Sequence, residues 1–192
     1  YQPVEKISAL RDSGQIDFGE NYIQEFLAKE EALADNTIQW HFIGHLQSNK
    51  AKFAVNAFHL FHTLDTVKLA RSLQNKCEAF DSTLSVLIQV NIGDEKQKFG
   101  VPPSGLKALV EELLGMPNLK MKGLMCMPPF DDDPRPYFAE LRMLRDGIAR
   151  ETGLSLKDLS MGMSQDYRAA IEEGATMVRI GTDIFGQRPA KQ

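Results

Sequence analysis

Seven short apolar runs recur along the chain, separated by polar turns and by stretches with apolar residues at helical spacing, and this alternation constrains the fold most. The runs are IDFGEN (16–21), IQWHFIG (38–44), LFHTLD (60–65), SVLIQVNIG (85–93), KMKGLMCM (120–127), LSMGMS (159–164) and MVRIG (177–181). Between them, sets such as Val67, Leu69 and Leu73, or Phe138, Leu141, Leu144 and Ile148, repeat with the period of an amphipathic helix. Phe53 and Val55 suggest a further helical segment. Glycine and proline punctuate the joins, as in GVPPSG (100–105) and MPPFDDDPRP (127–136). Alternating strands and helices call for a parallel sheet covered by helices, and a run such as VLIQV suits a strand buried on both faces. An open doubly wound sheet and a closed (β/α)8 TIM barrel both satisfy that pattern. The open sheet usually carries a glycine-rich phosphate loop after its first strand, and neither GxGxxG nor GxxxxGK[ST] occurs. A barrel needs eight strands. Seven are visible and the chain opens on a helical pattern, so the first strand and helix of a barrel are expected to be missing from the front.

With 192 residues, 43% hydrophobic and 25% charged, residues 1–192 are expected to form one domain. The net charge of −4, with no cluster of Lys and Arg among aromatics, argues against a nucleic-acid partner. Cys77 and Cys126 form no CxxC pattern, which argues against a disulfide framework or thiolate zinc site and favours a reducing, cytoplasmic setting. No apolar run approaches the roughly 20 residues that cross a bilayer, so no membrane association is expected.

The run MVRIG holds the most unusual residue. By strand alternation Met177, Arg179 and Gly181 share one face, which aims Arg179 into the barrel or at its mouth. A buried guanidinium needs partners, and a structural ion pair with a carboxylate is the plain explanation. Its position suggests another. Active sites of (β/α)8 barrels lie at the C-terminal ends of the strands, and phosphate frequently sits at the last two. Ser160, Gly162 and Ser164 end one such strand, and Gly181 and Thr182 end the next. Ser164 is expected to cap a helix over 165–173, whose free N–H groups suit an anion.

Elsewhere the signals are ordinary. Gly19, Glu20 and Asn21 end the first run, where turn chemistry alone could explain Gly and Asn. His41 and His45 are four apart, but WHFIG reads as a strand, so no metal site is expected. Trp40 and Phe42 read as core, and His59 and His62 as strand-edge residues. Asp131 to Asp133 lie among prolines as a solvated loop without calcium-loop spacing.

Taken in order, FGENYIQE, WHFIGHLQSNK, VLIQVNIGDEKQKFG, KGLMCMPP and SMGMSQDYRAAIEEGATMVRIGTDIFG resemble the pyridoxal phosphate homeostasis proteins, the YggS/PROSC family, from end to end of the chain. The resemblance implies a barrel of the alanine racemase N-terminal domain type that binds pyridoxal 5'-phosphate (PLP). It places Arg179 at the pyridine nitrogen, Ser160, Ser164, Gly181 and Thr182 around the phosphate, and Asn21 at the cofactor. Family members carry PLP as a Schiff base on a lysine ending the first strand; Tyr1-Gln2-Pro3 matches the segment after it, so that lysine is expected just before residue 1. The family role is PLP homeostasis without catalysis, with PLP-dependent apo-enzymes as possible recipients. A PLP-dependent amino-acid racemase or related enzyme is the alternative. Racemases of this fold use a tyrosine from a second domain, and only residues 182–192 follow the last strand here, so a non-catalytic monomer is expected.

Overall fold

A computed structural model describes residues 2–186. Its strands are β1 (Asp17–Glu20), β2 (Gln39–Phe42), β3 (Leu60–Leu64), β4 (Leu84–Val90), β5 (Leu119–Cys126), β6 (Asp158–Met163) and β7 (Met177–Arg179). The helices are α1 (Val4–Asp12), α2 (Ile23–Leu33), α3 (Val67–Ala79), α4 (Pro103–Leu114), α5 (Arg135–Thr152), α6 (Tyr167–Glu172) and α7 (Thr182–Phe185). All seven expected strands are present. The segment around Phe53 is a 3-10 helix, Ser48–Phe53, in place of an α-helix.

Neighbouring strands pair in parallel and in chain order, β1 through β7. The sheet curls into a nearly closed barrel: β1 and β7 face each other across one cleft, and Lys6 Nζ of α1 donates to the Phe185 carbonyl of α7 (2.8 Å). No pairing joins β1 to β7. No helix among the described residues is long and apolar enough to cross a membrane.

Strand alternation sorts the side chains into two layers. In β4, Leu84, Val86, Ile88 and Val90 pack outward with Leu69, Leu73, Leu106 and Leu109 of the helices. Leu87 points the other way and meets Leu60 and Met125 in a small inner cluster. The outer layer also holds Trp40 and Phe42, as expected of core residues. Beside this apolar inner cluster the barrel interior also holds buried polar groups, among them His41, His62 and Ser160.

Glu20 ends β1 on its outer side, where Lys29 Nζ of α2 meets Glu20 Oε1 at 2.5 Å, with both side chains under 10% exposed. This buried ion pair ties β1 to its helix and sets the strand end from which Asn21 departs. The backbones are close there as well: a Cβ on Gly44 would lie 1.9 Å from the Asn21 carbonyl oxygen, so only glycine allows the β1 and β2 ends to approach.

Candidate functional site

The C-terminal strand ends and the gap between β1 and β7 open into a cleft of about 2060 Å3. Asn21, Ser164, Arg179, Gly181 and Thr182 all line it. Five of the six residues assigned to the cofactor from sequence therefore share one cavity, contributed by β1, β6, β7 and the turns after them. Ser160 does not line it.

Arg179 ends β7 with its guanidinium desolvated inside the barrel mouth. Nη1 donates to Ser160 Oγ (2.7 Å) and Nη2 to the Cys126 carbonyl (3.0 Å). Among the described residues it makes no ion pair, so the plain explanation of a carboxylate partner does not hold. Burial pulls its pKa below the ordinary value, with Cys126 and Asp166 opposing that shift. An arginine begins so high that it stays protonated nonetheless. A fixed cation facing a cleft, held only by neutral acceptors, retains charge for an incoming acceptor.

Ser164 lies at the end of β6, but it does not cap a helix over 165–173. α6 begins at Tyr167, and the Met163 N–H donates to Asp166 Oδ1 (2.6 Å) as the chain turns. Ser164 Oγ instead reaches across to the turn after β7 and the start of α7, accepting from the N–H groups of Gly181 (3.2 Å) and Asp183 (3.4 Å). Two backbone donors and a hydroxyl thus converge at one exposed point. A Cβ on Gly181 would meet nothing within 4 Å, so the space beside the donors is open. With both N–H groups accepted by Ser164 Oγ, the hydroxyl keeps its own proton to donate to an anion such as phosphate.

Ser160 is placed differently from the expectation that it borders a phosphate. It has 0% exposure, and its hydroxyl is occupied by Arg179 and by His62 Nδ1 (2.8 Å). It supports the cation from below. His62 likewise departs from its expected strand-edge position: it is 2% exposed and faces the interior, where its Nε2 lies 2.8 Å from His41 Nδ1. His41 Nε2 lies 3.1 Å from Asp17 Oδ1. Burial, with the charges of His41 and Arg179, pushes the His62 pKa down to about 2. His41 is also lowered, by burial first, against the opposing pull of Asp17. Alternation within LFHTL and QWHF put both rings on inner faces, but their pairing could not be read from spacing.

The chemistry of nearby groups is restricted. Burial pushes the Cys126 thiol up to about 12, so it is no nucleophile near neutral pH. Among the described residues no group of three or more His, Cys, Asp or Glu side chains could hold a metal ion.

The family model described as alanine racemase, N-terminal domain, matches residues 3–189. A pyridoxal phosphate homeostasis protein of Aquifex aeolicus is 49% identical over 189 residues, covering 97% of this chain and 83% of that protein. PipY of Synechococcus elongatus, solved with PLP bound, superposes with a TM-score of 0.89 at 33% identity, covering 96% of this chain and 88% of PipY. An alanine racemase of Clostridium difficile shares the fold, with a TM-score of 0.76 at 13% identity, covering 98% of this chain and 49% of the racemase.

Proposed function

Because the chain belongs to the alanine racemase N-terminal domain family, among the pyridoxal phosphate homeostasis proteins, we propose that it binds PLP and serves PLP homeostasis without catalysing a reaction of its own. The observation that carries this reading is Arg179, a half-buried guanidinium at the mouth of the cleft with no carboxylate partner among the described residues. Beside it, the Ser164 hydroxyl, held by the N–H groups of Gly181 and Asp183, keeps its own proton to donate next to the open space at Gly181, a cradle that suits a phosphate. A cation for a ring nitrogen and a separate cradle for a phosphate are what PLP requires, so the residues present fit the group.

In this reading Ser164, Gly181 and Thr182 hold the phosphate, Asn21 borders the cofactor from β1, and Ser160 steadies Arg179. PLP supplies an aldehyde that reacts with amines and a ring that draws electrons from what it holds. Arg179 acts on the second property: being always protonated, it donates to a ring nitrogen and discourages a proton there, which weakens the ring as an electron sink. Such a site favours keeping the cofactor over using it. The facing edges of β1 and β7 are not paired with each other and leave the cleft open between them, and the proposal retains a Schiff-base lysine as the covalent anchor of the cofactor. It extends to PLP-dependent apo-enzymes as recipients.

The test is a PLP titration of the full-length protein, followed by borohydride reduction, peptide mapping and assays for amino-acid racemisation. Stoichiometric PLP on one lysine without racemisation supports the reading. Turnover lost in Arg179→Ala would favour the enzyme instead, and a protein that takes up no PLP would overturn both.

A further inference from the structure

Between Asp17 and Arg179 the barrel interior holds an unbroken series of side-chain hydrogen bonds, contributed by five residues on β1, β2, β3, β6 and β7. Its direction follows from the ends. Arginine has only donors, so Ser160 Oγ must accept from Arg179, and its single proton must go elsewhere. The other partner is His62 Nδ1, which must therefore be bare. His62 then carries its proton on Nε2 and donates to His41 Nδ1; His41 carries its proton on Nε2 and donates to the Asp17 carboxylate. No member can be reversed alone. If His62 held its proton on Nδ1, the serine hydroxyl would lose its acceptor and could aim its own proton only at a cation.

We infer that His62 and His41 are positioning residues that, through Ser160, hold the Arg179 guanidinium aimed at the cofactor, with Asp17 anchoring the far end of the relay. This rests on the PLP-binding reading above. The geometry gives the guanidinium two fixed points, the Ser160 hydroxyl and the Cys126 carbonyl. Two points fix a planar fork, and Arg179 lines the cleft. The hydroxyl is a firm point only while its proton is committed to His62. The relay also links the half-buried cation, through neutral groups, to a carboxylate that is 52% exposed.

Competing roles for the same residues fit less well. A serine, two histidines and an aspartate suggest a nucleophile with an extended relay, but Ser160 has 0% exposure and no substrate atom could reach it. Other charged groups face the series without joining it: His59 stacks obliquely on His41 with ring centroids 5.6 Å apart, Asp158 acts on His41 through its charge, and Asp166 acts on Arg179.

The experiment combines nitrogen NMR of the imidazoles with PLP binding, on the full-length protein. Both His41 and His62 are expected as the Nε2–H tautomer, a result that a merely space-filling role would not require. His62→Phe removes the acceptor for the Ser160 proton and is expected to weaken PLP binding about tenfold and to shift the visible band of the bound cofactor. His62→Gln, which keeps an acceptor and a donor, should recover most of the affinity and the parent band. Asp17→Ala, at the end that is 52% exposed, is expected to fold and should loosen binding by a smaller factor, which keeps the inference testable should His62→Phe not fold. An Nδ1–H tautomer at either histidine, or a folded His62→Phe or Asp17→Ala protein with the parent's affinity and spectrum, overturns the inference. If the parent protein takes up no PLP, the functional reading fails while the tautomers still decide whether the relay exists.

Discussion

At the scale of single residues, two buried polar groups carry measurable consequences. His62 has its pKa pushed down to about 2, against an ordinary value of 6.5. Between those values the unfolded chain binds a proton that the folded chain refuses. Stability is therefore complete above about pH 6.5 and falls as the pH drops, by up to about 1.4 kcal/mol per pH unit for each such proton. His41, also lowered, contributes with the same sign. Denaturant titrations at pH 7.5 and 5.5 should show this loss, and His62→Gln should flatten it; an unchanged slope in that variant would contradict the assignment. The second group is the Glu20–Lys29 pair, at 2.5 Å. Lys29→Met leaves a carboxylate buried alone and should cost about 3–5 kcal/mol of unfolding free energy, whereas Glu20→Gln combined with Lys29→Met should recover much of it. Equal losses in the single and double variants would show that packing, not charge, holds β1 to α2.

At the scale of elements, β6 and its turn decide where the site's donors go. Gly162 has φ +94°, a conformation that side chains rarely adopt, and a Cβ there would lie 2.6 Å from Ala170 Cβ of α6. Gly162→Ala should therefore cost about 2–4 kcal/mol through strain and overpacking, seen as a lowered denaturation midpoint, and should weaken PLP binding by displacing Ser164. A variant with parent stability would mean that the turn relaxes freely. The same turn shows where sequence reading stopped. SMGMSQDYRAAIEE was legible as strand, turn and helix, because glycine, serine and apolar spacing act over a few residues. Which of Ser164 and Asp166 serves the turn was not legible, since both residue types cap helices well. The choice depends on the turn after β7 and the start of α7 presenting the Gly181 and Asp183 N–H groups to Ser164.

At the scale of the whole molecule, seven parallel strands curl until the first and the last face one cleft. A ligand bound there links turns from β1, β6 and β7, so PLP at about 100 times its dissociation constant should stabilise the protein by about 2.7 kcal/mol. For a chain of this size that corresponds to a rise of roughly 5–10 °C in Tm, and no rise with PLP would count against the site. The sequence by itself determined the alternation of strands and helices, the two-sided burial of strands such as LSVLIQV, and the presence of a cation inside the last strand, since each is written in residues a few positions apart. Only the tertiary structure decided that Arg179 has no carboxylate partner among the described residues, that Ser160 lies beneath the cleft and not in it, and that His62 meets a serine 98 residues away. Those contacts cross the barrel interior, and which side chains meet there depends on how the sheet curls and how its strands are staggered, which no local periodicity specifies.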